Sequence, residues 1–482
     1  MAALLFTTGL FAGGLVTNTN QSAMFTRMQA RDATLGIDAV YYNPAGLLNL
    51  NDGFHFSLSN QFINQTQLIS SDYPLLDDYP REFTGKVQAP VFPSIYAVYK
   101  TGKLAFSFGF NPIGGGGGAT FDDGLPSFES GIAELVPTLQ SIVAPLDAGV
   151  EASTGTDPLF RNVTGYAADI FFEGSSIYFG YQGNVSYALN DMISLAIGVR
   201  YVTAKNTYKG YIRNVSVSAS PAIPDLVGTY SPPGQYLRTI ASTPYADAGT
   251  GAIFNNYADI IDGGSNIEAD VEQTGTGITP IVSLNISPSE KLNIALKYEM
   301  KTALELTNTV YDEKGAGIWT DGGKEIADMP AQLAGGLVYK PIERLTISTG
   351  VHYYFDKNVD YDGSDTVDIN MIDDNFFEYA LGIEYGLSEN FRVSAGWLTT
   401  VTGVNENYQS DLSYSLNTNT FGAGFGYRIN EMLDLNIAGS YTMYKDGSVD
   451  RSSELTGMDY TMSLDKNVWI VSAGLNISLG GR

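Results

Sequence analysis

Successive runs of about ten residues between Ile193 and Leu479 alternate large apolar side chains with small or polar ones. From Ile193 to Tyr201, for example, Ile, Leu, Ile, Val and Tyr alternate with Ser, Ala, Gly and Arg. Because side chains along a strand point to opposite faces in turn, each run has one apolar and one polar face. The polar faces are rich in Gly, Ser and Asn, which favours a crowded or wet lumen over an open surface. The apolar faces would then contact lipid, as in a transmembrane β-barrel.

The composition narrows the class of protein further. The 482 residues include no cysteine and only two histidines, His55 and His352. We therefore expect no disulfides, no histidine-based metal site and no cofactor. No apolar stretch reaches the roughly eighteen residues that a membrane-spanning helix needs. Aromatic residues form 12% of the chain, which fits the aromatic girdles of membrane barrels.

The chain is strongly acidic, since it has 52 Asp and Glu against 26 Lys and Arg and a net charge of −26. This sign excludes nucleic acid as a partner, because phosphate binding needs positive charge. Part of the excess lies between Asp356 and Asp374, in an apparent loop. A solvated loop is favoured over a calcium site, because Tyr361 stands where an EF-hand-type loop needs Gly.

The start of the chain divides into two segments. Residues 1–12 resemble the apolar region of an export signal, with a candidate cleavage near Ala12, although the first cation is Arg27 and no basic region precedes them. Residues 13–53 do not alternate cleanly and are rich in Asn, Ala and Gly. We expect this second segment to be compact and to precede a barrel formed by 54–482.

The period-two pattern and the turn residues predict about fourteen antiparallel strands. They lie near 54–63, 91–100, 104–111, 175–189, 193–214, 268–287, 291–310, 330–341, 344–356, 376–387, 391–402, 412–430, 432–446 and 466–479. An even number places both termini at the periplasmic side, together with short turns such as Asn190-Asp191. Long insertions near 112–170 and 215–267 would be extracellular loops. The expected fold is an all-β transmembrane barrel.

Two stretches near the third strand are unusual. Between Phe128 and Leu146 apolar residues follow helical spacing, with Ser127 as a cap and a bend at Pro137. The apolar stripe of this helix either packs on a neighbouring loop or lines an extracellular groove for a hydrophobic ligand. Five consecutive glycines directly follow the third strand, and they either make a flexible loop or interrupt strand pairing in the wall. These glycines are Gly114, Gly115, Gly116, Gly117 and Gly118.

A tight turn, Asn43-Pro44-Ala45-Gly46, follows Asp38-Ala39 and precedes the first strand. In this order and position it resembles the N-terminal hatch of the FadL/TodX family of outer-membrane transporters of hydrophobic compounds. The resemblance implies a fourteen-stranded barrel whose lumen is plugged by residues 13–53, here called the hatch. It also implies sideways release of ligand through a gap at a kinked third strand, where the glycine run occurs.

The resemblance thus implies transport of long-chain fatty acids or other hydrophobic molecules across the outer membrane of a Gram-negative bacterium. Asn43, Pro44 and Ala45 would anchor and gate the hatch, or merely fix the plug in place. Several cations predicted to face the lumen are candidates to bind a fatty-acid carboxylate, or else to pair with an inward acid such as Glu299. These cations are Arg200, Lys297, Arg344, Arg392 and Arg428. The expected partners are hydrophobic small molecules and outer-membrane lipid, and the chain is expected to be a monomer and not an enzyme.

Three other classes stay open at this point. A general or charge-selective diffusion porin would have an aqueous lumen. An outer-membrane lipid hydrolase would have to use His55 or His352, and neither lies in a convincing Ser/Asp arrangement. A soluble β-sandwich or adhesin would bury the apolar faces between two sheets instead of exposing them to lipid.

Overall fold

The computed structural model, which describes residues 17–218, 230–314, 317, 319–359 and 370–479, contains a closed antiparallel barrel of 14 strands. The first and last strands pair along their whole length, from Phe54 opposite Leu479 to Ser71 opposite Met462. The predicted barrel class is therefore confirmed. The leader at 1–12, the first residues of the hatch and most of the acidic loop between 356 and 374 lie outside the described residues.

In the described residues, fourteen strands form the wall and four further strands extend it. The wall strands are β1 (Gly53–Ser71), β2 (Arg81–Thr101), β3 (Leu104–Phe121), β4 (Tyr166–Ala188), β5 (Ile193–Ser218), β7 (Ile267–Ser289), β8 (Leu292–Glu299), β11 (Gln332–Ile342), β12 (Leu345–Tyr354), β13 (Phe377–Gly386), β14 (Phe391–Val401), β15 (Thr418–Arg428), β16 (Leu433–Tyr444) and β18 (Asp459–Leu479). The extensions are β6 (Tyr230–Ser231), β9 (Glu305–Lys314), β10 (Lys324–Ile326) and β17 (Gly447–Ser452).

The orientation of the strands follows the sequence pattern. On β5 the side chains of Leu195, Ile197 and Val199 face outward and are exposed, whereas Ala196 and Arg200 face the lumen and are buried. Because the apolar faces point away from the centre, the alternative of two stacked sheets with an apolar core is wrong. No helix in the described part of the chain is long and apolar enough to cross a membrane.

The strands at one end of the barrel are longer than predicted. β1 runs to Ser71 and β3 to Phe121, so the first long connection spans 122–165 instead of 112–170. The second spans 219–266 instead of 215–267. The extra residues of β1 and β3 are mostly polar or glycine, so they carry little period-two signal, yet their backbone hydrogen-bond ladders continue. We call this end the long-loop end and the opposite one the short-turn end.

Among the described residues, four helices lie at the long-loop end: α3 (Pro126–Ala133), α4 (Leu135–Thr154), α5 (Pro233–Ala241) and α6 (Ala248–Gly264). The prediction of a single bent helix in this insertion was wrong in detail, because two helices, α3 and α4, are present. The break lies at Glu134 and not at Pro137, because a proline in the first turn of α4 loses no helical hydrogen bond. α3 begins before Ser127, whose backbone N–H donates to Asp411 of a distant loop over 2.7 Å.

The hatch occupies the lumen. It contains the short helices α1 (Ala23–Arg27) and α2 (Ala39–Tyr42) and a 3₁₀ turn at Pro44–Asn49. Almost every residue from 21 to 47 is buried, including Phe25 and Tyr42, whose rings stack with centroids 5.7 Å apart. The predicted plug is confirmed, and the lumen differs from the open aqueous bore of a general porin.

Candidate functional site

The Asn43-Pro44-Ala45 motif joins the hatch to three neighbouring wall strands. The Asn43 side-chain amide donates to Asn285 Oδ1 on β7 over 2.8 Å, and to the Thr34 carbonyl over 3.0 Å. Ser186 Oγ on β4 donates to the Pro44 carbonyl, and Ser194 Oγ on β5 to the Ala45 carbonyl, each over 2.7 Å. Each motif residue thus contributes one fixed polar group to the contact between hatch and wall.

Gly46 is required by this close approach. A Cβ built on it would lie 2.3 Å from the Asn43 side-chain nitrogen and 2.9 Å from the Thr34 carbonyl oxygen. Any side chain there would displace the amide of Asn43.

Two of the five predicted carboxylate-binding cations are already paired inside the barrel. Arg200 Nη2 lies 2.9 Å from Glu299 Oε1, and Lys297 Nζ lies 2.7 Å from the same oxygen. Lys297 also donates to the Tyr41 carbonyl over 2.9 Å, and both cations lie over the Tyr41 ring. This buried cluster binds the wall to the hatch, so the alternative partner, Glu299, is the one that the structure places beside them.

The other three cations lie toward the short-turn end. Arg392 pairs with Asp434 and with Glu384, which also pairs with Arg27 of the hatch. Arg344 and Arg428 are exposed beside the turns. The structure therefore places none of the five around the large cavity described below, because the hatch separates these positions from it.

His352 forms a second bridge between wall and hatch. Its Nε2 lies 2.6 Å from Asp32 Oδ1 on the hatch, and its Nδ1 lies 2.8 Å from Glu378 Oε2 on β13. Ionised carboxylates only accept hydrogen bonds, so with Asp32 and Glu378 both ionised each ring nitrogen donates and the ring is cationic. The other histidine, His55, contacts Ser478 Oγ and the Asn51 carbonyl at the short-turn end.

A large cavity of about 720 Å³ lies between the hatch and the long-loop end. Hatch residues 17–20, Phe25 and Gln29 form part of its lining, and so does Glu378. Its wall is of mixed polarity, with hydroxyl and amide side chains beside aliphatic and aromatic ones.

The wall beside this cavity is interrupted. Between β2 and β3 the pairing stops at Lys86 opposite Thr120 and resumes at Ile95 opposite Phe110. The glycine run lies in this interval, and Gly114, Gly115, Gly117 and Gly118 line the cavity. Gly115 has φ of 93°, and a Cβ on it would lie 2.3 Å from the Ser176 carbonyl oxygen. Such a backbone departs from regular strand geometry and favours glycine. We call the unpaired interval the wall gap.

The first described residues of the hatch cover one side of the wall gap. Thr17 forms an antiparallel bridge with Gly114, and the Asn18 N–H donates to the Ile113 carbonyl over 2.8 Å. The Asn18 side chain donates to the Pro112 carbonyl over 3.3 Å. The hatch thus supplies β3 with part of the pairing that β2 does not.

Lys466 on β18 is a cation in the cavity lining and is absent from the five cations predicted above. Its Nζ lies 5.3 Å from the Tyr444 ring centroid and 5.9 Å from that of Tyr414. Within the described residues no carboxylate lies within ion-pair distance of it. The alternation around Trp469 could have revealed it, since Ser472 and Lys466 share the inward parity of the last strand.

A smaller apolar groove of about 80 Å³ lies among the helices of the long-loop end. Phe128 and Leu135 from α3 and α4, Ile260 from α6, and Leu455 line it. The apolar stripe predicted in the first insertion therefore both packs on other loop residues and borders a groove.

A family model described as outer membrane protein transport protein (OMPP1/FadL/TodX) matches residues 161–479. The fold is similar to a solved FadL homologue from Pseudomonas aeruginosa, with a TM-score of 0.63 and 14% identity, over 96% of this chain and 99% of that one. It is also similar to the Pseudomonas putida toluene transporter TodX, with a TM-score of 0.55 and 14% identity, over 93% and 95%. No curated protein sequence is similar enough to count as a relative.

Proposed function

Because this chain belongs to the OMPP1/FadL/TodX family of outer membrane transport proteins, we propose that it takes up hydrophobic molecules by binding them in the large cavity and releasing them sideways through the wall gap. One observation supports this proposal most directly. The same cavity is lined by hatch residues on one side and, at the wall gap, by Gly114, Gly115, Gly117 and Gly118. A ligand bound there lies beside both the gate and the exit.

Entry would occur at the long-loop end, which we assign to the outside of the cell. The apolar groove lined by Phe128, Leu135 and Ile260 offers a first binding place for a hydrocarbon that leaves the outer leaflet. Binding at either place is favourable relative to water, because each methylene removed from water contributes about 0.8 kcal/mol.

Lys466 would select the polar end of the ligand. A cation without a carboxylate partner that lines a cavity favours an anionic head group, and the Tyr414 and Tyr444 rings position its ammonium group. The cavity volume of about 720 Å³ also leaves room for a ligand larger than a single aromatic ring. We therefore assign long-chain carboxylates as the substrate class.

The hatch would be anchored at one part and movable at another. Asn43, Pro44 and Ala45 are bonded to the wall, whereas Thr17 and Asn18 pair with β3 only at the gap. Release of ligand would need this short pairing to separate, while the motif keeps the rest of the hatch in the lumen.

Uptake of radiolabelled stearate by cells that produce Lys466→Met tests this proposal. We expect uptake to fall severalfold, because the head group loses its charged partner, while Lys291→Met, in an exposed turn, leaves uptake unchanged. Equal uptake by Lys466→Met and the unsubstituted protein would remove Lys466 from the mechanism. If cells with the unsubstituted protein take up no more stearate than cells lacking it, the proposed transport function is wrong.

A further inference from the structure

The cavity wall has two sectors of different chemistry. The first lies on β14, β15 and β16 and presents five hydroxyl groups, those of Thr400, Thr418, Thr420, Ser440 and Thr442. The second lies on β2, β3 and β4 and is mostly apolar, with Val87, Ala89, Val91, Phe121 and Phe172 beside the hydroxyls of Ser175 and Ser176. Around the barrel, β18 and β1 lie between these two sectors.

The hydroxyl sector keeps hydrogen-bonding capacity for a ligand. Thr420 Oγ1 and Thr442 Oγ1 lie 2.8 Å apart, so one donates to the other and the second hydrogen stays available. Thr400 Oγ1 donates to Glu378 Oε1 over 2.8 Å, which leaves its lone pairs as acceptors. A saturated chain packed against this sector would remove water from these hydroxyls without replacing its hydrogen bonds, which is unfavourable.

Lys466 sets the direction in which a ligand would lie. It is on β18, the strand next to β16, and therefore beside the hydroxyl sector. A carboxylate bound at Lys466 places the following part of its chain between the hydroxyl sector and the apolar sector. One side of that chain then faces oxygen atoms, and the other faces Val87, Phe121 and the wall gap.

We propose that the ligand is an oxygenated amphiphile, a long-chain carboxylate that carries hydroxyl or carbonyl groups along its chain. This inference rests on the proposed function and specifies its substrate class. Hydroxyls of the ligand exchange hydrogen bonds with β15 and β16, and its hydrocarbon side contacts the apolar sector that leads to the exit.

Binding of two matched ligands to the full chain in lipid nanodiscs tests the inference. The probes are stearate and mid-chain dihydroxystearate, which share carboxylate and chain length, each measured by displacement of a fluorescent fatty acid. The test variant carries Thr420→Val and Thr442→Val together, which keeps shape and removes both members of one hydrogen bond, so neither is left unpaired. Thr276→Val, on the exposed outer face of β7, is the matched control.

The double variant should lower the affinity ratio of dihydroxystearate to stearate about tenfold, as expected for the loss of one or two hydrogen bonds. The control should leave that ratio unchanged, and Lys466→Met should weaken both ligands. A ratio that stays within about twofold in the double variant, with stearate binding intact, overturns the inference but not the proposed function. Failure of the unsubstituted protein to bind either ligand overturns both.

Discussion

The side-chain amide of Asn43 in the hatch donates to Asn285 Oδ1 in the wall over 2.8 Å, inside a fully enclosed part of the lumen. Asn43→Ala removes this bond and the one to the Thr34 carbonyl. Asn285 Oδ1 still accepts from Asn293 over 2.9 Å, so the cost of about 1–3 kcal/mol falls on the buried Thr34 carbonyl, which loses its side-chain donor. We expect faster amide hydrogen exchange across residues 34–47 and severalfold lower stearate uptake, with normal barrel assembly on gels.

Asn49→Ala is the matched control for that change. Asn49 is exposed and donates only to the Gly46 carbonyl within its own turn. It should leave both exchange and uptake unchanged. Normal uptake by a correctly assembled Asn43→Ala protein would reduce the motif to a structural plug without a role in gating.

Loss of the His352 bridge should strongly lower the stability of the fold, and a second substitution should recover part of that stability. His352→Gln leaves the buried carboxylates of Asp32 and Glu378 without their shared cation, and breaking a buried ion pair costs about 3–5 kcal/mol. Adding Asp32→Asn removes one of the two carboxylate charges and should recover much of the lost stability. The measurement is the temperature at which the folded, fast-migrating form disappears on gels. If His352→Gln alone melts at the original temperature, the bridge is not an ion triad.

The helices α3 and α6 should respond to pH in opposite directions. Burial raises the pKa of Asp411, which accepts the Ser127 N–H at the start of α3, and burial also raises the pKa of Glu129 on that helix. The contribution of these two carboxyl groups to the stability of α3 is therefore greatest at low pH. It is lost as the pH rises through their raised pKa values. The Thr250 N–H instead lowers the pKa of Asp247 at the start of α6, whose contribution is present near neutrality and is lost on acidification.

Hydrogen exchange of the two helices within one sample tests this contrast, because the intrinsic pH effect on exchange is common to both. As pH falls from neutral, protection of α3 should rise relative to α6. Asp411→Asn should weaken that trend, since an amide at this position accepts the same bond without a buried charge. An unchanged trend in Asp411→Asn would show that Asp411 does not control the α3 start.

Local periodicity was sufficient to predict the wall. The alternation at 193–201 depends only on the strand repeat, and Ile197 is exposed while Ala196 is buried, as that repeat requires. The luminal hatch was implied by the family resemblance of one turn motif and its position before the first strand. By contrast, strand ends such as 64–71 of β1 were missed because each face carries a single apolar residue, Leu68 or Ile69, among polar ones.

The candidate site depends on contacts between distant residues, which a strand pattern does not contain. Parity indicated that Arg200 and Lys297 face inward and that an inward acid such as Glu299 could pair with them, but it did not give their height relative to the hatch. Lys466 has the same inward parity and lies beyond the hatch, where the cavity begins. The position of the hatch thus decides which inward cations are paired, as Arg200 and Lys297 are, and which line the cavity, as Lys466 does.

A disulfide between Thr17→Cys and Gly114→Cys tests the central claim, that ligand leaves through the wall gap after the hatch separates from β3. The chain has no native cysteine, and residues facing each other in an antiparallel bridge are within disulfide range. A control pair, Ile197→Cys with Val282→Cys, joins β5 to β7 on the outer face. In oxidised cells the test pair should lower stearate uptake to the level of cells lacking the protein, with recovery on reduction, while the control pair stays active. Full uptake with the Thr17–Gly114 crosslink complete would contradict lateral release gated by the hatch.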